Sequence, residues 1–408
     1  MVQRRSILQA AVAAGLGSAL PTARAQTTKT ITFGGSIPLS GAQAQTGQNV
    51  LAGYQAAVKF FNEKLGGVKV GADTYKFDLQ MFDDASDPQR ASTLIQKQVD
   101  DGFPFFLGSF SSGIVLPTAA ITERARRPMV QAGGGADQIF SRGFKYVFGM
   151  YPRASRQLIP LVGLLKAIEP RPSTVVIVTT NDAYSRSQAD AVNDSLKAAG
   201  FIMSRMERLP ANVSDVSSVV SGIRADKPDV VICNTHEQES LLITQQLAAT
   251  GTDVKLLFLA LGPEVQSFRT ALGKNADGLT GLQYWDPRVR WSDPYFGTSQ
   301  AYFEWYKSTT DRAYAYQTVA ASACIVCYAK AMQDAGSIDP KAVRDKLAAL
   351  DFESMYGHIK FTPEGDGDPV LMGSSVGQLR NNGLDIVFPE KAATAKLAYP
   401  MPSWASRS

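Results

Sequence analysis

Two adjacent hydroxyls, Ser111 and Ser112 in "GSFSSGIVLP", stand where the short apolar run "FPFFLG" gives way to a helix pattern. A serine at a helix start lies beside free backbone N–H groups and the positive end of the helix dipole, which suits a carboxylate or another acceptor. The same placement serves a plain helix N-cap, and the residues alone leave both readings open. The next apolar run is followed by "AGGGAD". There Gly133, Gly134 and Gly135 remove side chains, so that a ligand could approach backbone amides or the chain simply turns. The spacing is not that of a dinucleotide fingerprint. His236, one of two histidines, follows a further apolar run in "THEQES" and is either a ligand contact or a solvated loop residue. It is no HExxH motif, because Ser240 stands where the second histidine belongs. Tyr184 in "NDAYS" holds the corresponding place after an earlier run.

Catalytic patterns are missing: there is no GxSxG elbow, no GK[ST] phosphate loop and no paired histidine ligands. Two histidines in 408 residues leave little general-base capacity. "EGDGDP" (364–369) lacks the terminal glutamate of a calcium loop and reads as a turn. Cys324 and Cys327 form "CIVC" inside an Ala-rich helix pattern with no second ligand pair nearby, so they read as core residues one turn apart. Binding without chemistry is expected, with no enzyme activity, metal or cofactor.

The elements that must position these residues alternate. "TITFGGSI" and the period-two run "YKFDLQMF" read as strands, while "QNVLAGYQAAVKFFNEKLGG" and "PQRASTLIQKQVDDG" carry apolar stripes at helical spacing. "FPFFLG" is apolar on both faces, as a strand between two helix layers must be. The order βαβαβ implies a parallel sheet. The pattern restarts past Tyr151 with "STVVIVTT", "DVVICNT" and "VKLLFLALG", each followed by a helix pattern, which predicts an α/β fold of two Rossmann-like lobes with parallel central sheets. In open parallel sheets ligands lie beyond the carboxyl ends of the strands, where all the candidates above fall. Helices are expected at about 297–310, 316–335 and 340–349, then β-like runs at "HIKF" and "VLMGSSVGQL" and a turn at "NNG" leading into "LDIVFP".

The first residues, "MVQRRSILQAAVAAGLGSALPTARAQ", join a basic pair, an apolar stretch and a small-x-small site ending at Ala25. They read as a cleaved secretory leader over residues 1–25; "QRRSILQ" is compatible with twin-arginine export as well as the general route. The formal charge is +4, but three arginines lie in those first 25 residues with no acid, so the remainder is near balance. No Lys/Arg block suggests nucleic acid or an anionic membrane. No later apolar run reaches the roughly 20 residues that span a bilayer. A soluble, exported, periplasmic monomer is expected.

Several stretches together carry a family likeness: "IPLSGAQAQTGQNVLAGYQAAVKFFNEKLGG", "DDASDPQRA", "FLGSFSSGIVLP", "PMVQAGGGADQIFSRGFKYVFG" and "AVRDKLAALDFESMYGHIKFTPEGD". The chain resembles the periplasmic solute-binding proteins of branched-chain amino acid ABC transporters, the leucine/isoleucine/valine-binding type. The resemblance implies the type 1 periplasmic-binding fold, with three hinge crossovers near Met150–Tyr151, Gln283–Tyr284 and Tyr356–Gly357 and the ligand in the cleft. Lobe 1 would comprise residues 27–150 and 285–355, and lobe 2 residues 151–284 and 356–400. It further implies that a ligand carboxylate meets Ser112 and the backbone of Gly133, Gly134 and Gly135, that His236 takes the aromatic position of the second lobe, and that Glu264 in "LGPE" meets an ammonium. Tyr284 and Trp285, at a crossover, supply either an aromatic wall or core packing.

Departures from the family pattern bear on the ligand. Thr46 stands where relatives often place Tyr or Trp, Gly135 where Thr or Ser is common, and Ala154 where amino-acid binders often carry Asp, with Arg153 beside it. A missing carboxylate next to a guanidinium leaves room for an acid without an amine. The expected function is that of an ABC importer's substrate-binding subunit, taking an amino acid or related small carboxylate to a membrane permease. The alternative is a ligand-sensing receptor of the same fold that signals to a protein partner.

Overall fold

The computed structural model describes residues 28–210 and 213–407, so the expected leader lies outside the described residues. Lobe 1 is built on β1 (Thr28–Ile37), β2 (Val68–Val70), β3 (Asp73–Asp83), β4 (Phe105–Leu107), β5 (Met129–Gln131) and β6 (Val147–Gly149). Their order is β2-β3-β1-β4-β5-β6, parallel throughout except for the edge pair β2–β3. Every residue of β4, β5 and β6 is buried, because helices cover both faces of the sheet.

One of the covering helices comes from far along the chain. Tyr316–Ala335 is buried almost all round, which accounts for its run of Ala, Cys and Val, and Cys324 and Cys327 are free thiols in its core-facing packing. It crosses the helix Ala44–Glu63 at backbone contact: a Cβ on Gly53 would come within 2.0 Å of the Thr318 carbonyl oxygen.

Lobe 2 carries β7 (Thr174–Thr180), β8 (Ile202–Leu209), β9 (Val230–Asn234), β10 (Leu256–Leu259) and β11 (Thr280–Gln283), all parallel. Two short antiparallel ribbons follow, β12 (Ser292–Asp293) with β13 (Gly297–Thr298) and β14 (Asp351–Ser354) with β15 (Gly357–Lys360). The last strands, β16 (Ser375–Arg380) and β17 (Gly383–Phe388), add an antiparallel edge, giving the order β17-β16-β11-β10-β9-β7-β8. Asn381 and Asn382 turn this hairpin with φ of 49° and 62°, a left-handed conformation that asparagine tolerates. The two lobes and parallel central sheets thus appear, with antiparallel pairing at one edge of each sheet.

The third passage between lobes lies later than Tyr356–Gly357. Ile359, Phe361 and Met372 belong to the core of lobe 1, Phe361 packs on Phe148 with ring centroids 5.2 Å apart, and Gly149 N–H donates to the Gly365 carbonyl at 2.8 Å. The chain enters the second sheet only at Ser375. Residues 361–372 are also tied to the first passage between lobes: Asp366, fully buried, accepts from Arg153 Nη2 at 2.8 Å, Nε at 3.1 Å and its backbone N–H at 3.0 Å.

Candidate ligand-binding site

The strands of both sheets end toward one narrow cleft that is partly open to solvent. The helix Ser112–Arg124 begins at this cleft directly after β4. Ser111 occupies its N-cap position, yet its hydroxyl makes no capping bond; Oγ instead accepts from Gln43 Nε2 at 3.0 Å. Ser112 Oγ accepts from the backbone N–H of Gly135 and of Ala136, both at 3.0 Å, which leaves its own proton to donate. As the first residues of the helix, Ser112 and Gly113 have N–H groups without intrahelical acceptors.

The glycine run is placed at the cleft but not as expected. Gly133 and Gly135 line it, whereas Gly134 is packed against Val115 and Ile139. Its amides are already committed within the protein: Gly133 and Gly134 donate to Gln131 Oε1 at 2.9 and 2.6 Å, and Gly135 donates to Ser112. The glycines therefore allow close approach and do not act as a carboxylate cradle. The polar groups left to a ligand on this side are the serine hydroxyls and the helix-start N–H groups.

Lobe 2 contributes Tyr184 and His236 from the starts of the helices Ala183–Ala198 and Glu237–Ala249. Asp182 caps the first of these, accepting from the N–H groups of Tyr184 and Ser185 at 3.0 and 3.1 Å, and pairs with His236 Nε2 at 3.2 Å. Burial opposes the imidazolium, but the Asp182 carboxylate outweighs it and raises the His236 pKa above its ordinary 6.5. Burial likewise opposes the Asp182 carboxylate, and the bonds from His236, Thr180 and Ser185 still hold it well below the usual range.

Six lining residues were not expected as contacts: Phe110, Ala132, Tyr151, Gln157, Leu261 and Tyr316. Gln157 Oε1 accepts from Tyr184 Oη at 2.7 Å, Tyr284 Oη at 2.9 Å and Gln188 Nε2 at 3.2 Å, three donors onto one amide oxygen. Burial holds the hydroxyls of Tyr151, Tyr184, Tyr284 and Tyr316 well above the usual tyrosine range, so all four face the cleft as neutral O–H groups. The only sequence signal for them is placement: Tyr151 lies at a crossover, Gln157 follows it, and Tyr316 opens a helix.

Three expected contacts lie elsewhere. Trp285 is in the core of lobe 1, its ring N–H donating to the Met355 carbonyl at 2.8 Å, so of the crossover pair only Tyr284 forms a wall. Arg153 is tied to Asp366 and does not line the cleft. Glu264 is half-buried outside the lining and accepts from the backbone N–H of Tyr284; desolvation pushes its carboxyl up to about 8, which makes it a poor counter-ion for an ammonium. Among the described residues no cluster of His, Cys, Asp and Glu could hold a metal ion, and no helix is long and apolar enough to cross a membrane.

The model of the family described as "Periplasmic binding protein" matches residues 30–383. A leucine-, isoleucine-, valine-, threonine- and alanine-binding protein of Pseudomonas aeruginosa is 28% identical over 364 residues, covering 89% of this chain and 93% of that protein. A Leu/Ile/Val-binding protein homolog 8 of Brucella suis is 26% identical, covering 95% of this chain and 98% of its own. Among solved structures, the substrate-binding protein LivJ of Streptococcus pneumoniae with isoleucine superposes with a TM-score of 0.76 at 18% identity, over 91% of this chain and all 100% of that one. A solute-binding protein of an ABC transporter from R. palustris with benzoate gives a TM-score of 0.73 at 18% identity, over 92% and 97% of the two chains. At such identities the structures establish the shared fold, the type 1 periplasmic-binding architecture. The chain belongs to the periplasmic binding protein family, alongside the leucine/isoleucine/valine-binding proteins it was found to resemble.

Proposed function

We propose that this chain is the exported substrate-binding subunit of an ABC importer, which closes on a small carboxylate between its lobes and delivers it unchanged to a permease. The observation that carries this reading is the shared lining of one cleft: Ser111 and Ser112 from lobe 1 face Tyr184 and His236 from lobe 2, with Tyr284 at a passage between them. A ligand touching both faces stabilises the closed arrangement over the open one by its differential contacts. The hydroxyls and helix-start N–H groups supply donors for an anion, and the cleft presents no nucleophile–base pair. Relatives named for amino-acid binding, and an ABC-transporter protein named with benzoate, support a carboxylate as the common handle.

Thermal unfolding of the purified chain against a panel of amino acids and amine-free carboxylates tests this. A bound carboxylate is expected to raise the melting temperature, to contract the particle in small-angle scattering and to be recovered chemically intact. A panel that leaves both melting and dimensions unchanged, or a ligand recovered as a product, overturns the reading.

A further inference from the structure

The composition of the cleft narrows the ligand further, on the premise that the cleft is the solute site. We propose that it selects an aromatic carboxylate that carries no amine. None of the residues lining the cleft is an aspartate or glutamate. Of the acids nearby, Asp182 is engaged with His236, Thr180 and two backbone N–H groups, Glu237 with Gln317 Nε2 at 3.1 Å and Glu264 with the Tyr284 N–H, while Glu239, whose buried Oε2 has no hydrogen-bond partner, stands outside the lining. The amide oxygen that could accept from an ammonium, Gln157 Oε1, already has three donors for two lone pairs. An ammonium enclosed here would lose its hydration without gaining a counter-ion.

The walls define the rest of the molecule. Phe110, Tyr151, Tyr184, Tyr284, Tyr316 and His236 all present rings to the cleft. Tyr284 and Tyr316 are stacked, with centroids 5.3 Å apart and planes 26° from parallel, and Tyr151 leans on Tyr284 at 4.9 Å and 59°. These rings offer both faces and edges to a flat ring, the arrangement aromatic pairs prefer. One buried group points independently to a ligand: Tyr151 is 6% exposed, and its hydroxyl has no hydrogen-bond partner. A buried O–H without an acceptor is unfavourable, and an oxygen of the ligand would satisfy it. The remaining free donors, the hydroxyl protons of Ser111 and Ser112, call for the same chemistry in a ligand: acceptors only.

Isothermal titration of the full chain with matched acids distinguishes the parts of this proposal: benzoate, 3-phenylpropanoate, phenylalanine, 4-methylpentanoate and leucine. Either aromatic acid is expected to bind at least about 100-fold more tightly than phenylalanine, and more tightly than 4-methylpentanoate. Ser111→Ala is expected to weaken that binding while leaving the melting temperature of the free chain in place, since its hydroxyl touches only Gln43. Phenylalanine or leucine binding as tightly as its amine-free partner overturns the exclusion of the amine. Preference for 4-methylpentanoate over both aromatic acids overturns the aromatic assignment while solute binding stands. Silence toward all five, with no change in melting temperature, overturns the solute-binding reading as well.

Discussion

His236 shows how one side chain is tuned by its surroundings. It sits at the N-cap of its helix without capping it, and its Nε2 is turned to Asp182. The partner raises the histidine pKa above 6.5, so the stabilisation from this pair is fully present below pH 6.5 and fades as the pH rises through the folded-state value. On the acid side it is fully present above about pH 3.8 and is lost progressively as the pH falls from there through the depressed folded-state value of Asp182. His236→Gln is therefore expected to lower the melting temperature at about pH 5.5 by no more than roughly 2–4 °C, given the pair's partial exposure, and by less at about pH 9. Calorimetric scans at the two pH values check this; an equal loss at both would show that the charge on the ring is not what matters. The residue types at this site were legible from their place after a strand, but the pairing was not, because Asp182 follows a different strand of the same sheet.

Among the elements, the helix Tyr316–Ala335 does most to set the shape of the cleft. It opens with Tyr316 and Gln317, one lining the cleft and the other bonded across to Glu237 of lobe 2. Its position depends on Gly53, where the helix Ala44–Glu63 meets the Thr318 carbonyl with no room for a side chain. Gly53→Ala is expected to destabilise the chain by roughly 1–3 kcal/mol through overpacking, read as a lower urea midpoint. The same displacement at Thr318 moves the neighbouring Tyr316 and Gln317, so ligand affinity is expected to fall as well. An unchanged midpoint would show that the two helices can separate freely. Sequence spacing gave the length of this helix closely, 316–335, since an apolar run bounded by glycine is a local signal. That it returns to lobe 1 is not local: it depends on which buried surface can accept a helix apolar on all sides.

At the scale of the molecule, the proposed function depends on how closely the lobes can approach. Gly135 of lobe 1 marks that limit: a Cβ there would lie 3.0 Å from Gln157 Nε2 and 3.0 Å from the Tyr184 ring, both in lobe 2 and both held in one hydrogen-bond network. Next to it, Ala154 N–H donates to the Gly135 carbonyl at 2.7 Å, and Ser155 N–H to Asp137 at 3.0 Å. Gly135→Ala should act as a wedge, reducing the population of the closed form and weakening apparent affinity by about tenfold, while leaving the melting of the free chain little changed. Titration calorimetry with scattering on the free and liganded variant checks this; full closure and unaltered affinity would show that Tyr184 and Gln157 give way.

By itself, the sequence determined the two α/β lobes, the family and the strand ends that line the cleft, because periodicity, strand-to-helix order and helix-start chemistry are local properties. The tertiary structure alone decided which of those residues are available. Arg153 finds Asp366, more than two hundred positions away, Trp285 sinks into a core assembled from distant segments, and the glycine amides are taken by Gln131 and Ser112. Each outcome turns on a hydrogen-bond or packing partner remote in sequence, and a polar group once satisfied inside the protein has little left to offer a ligand.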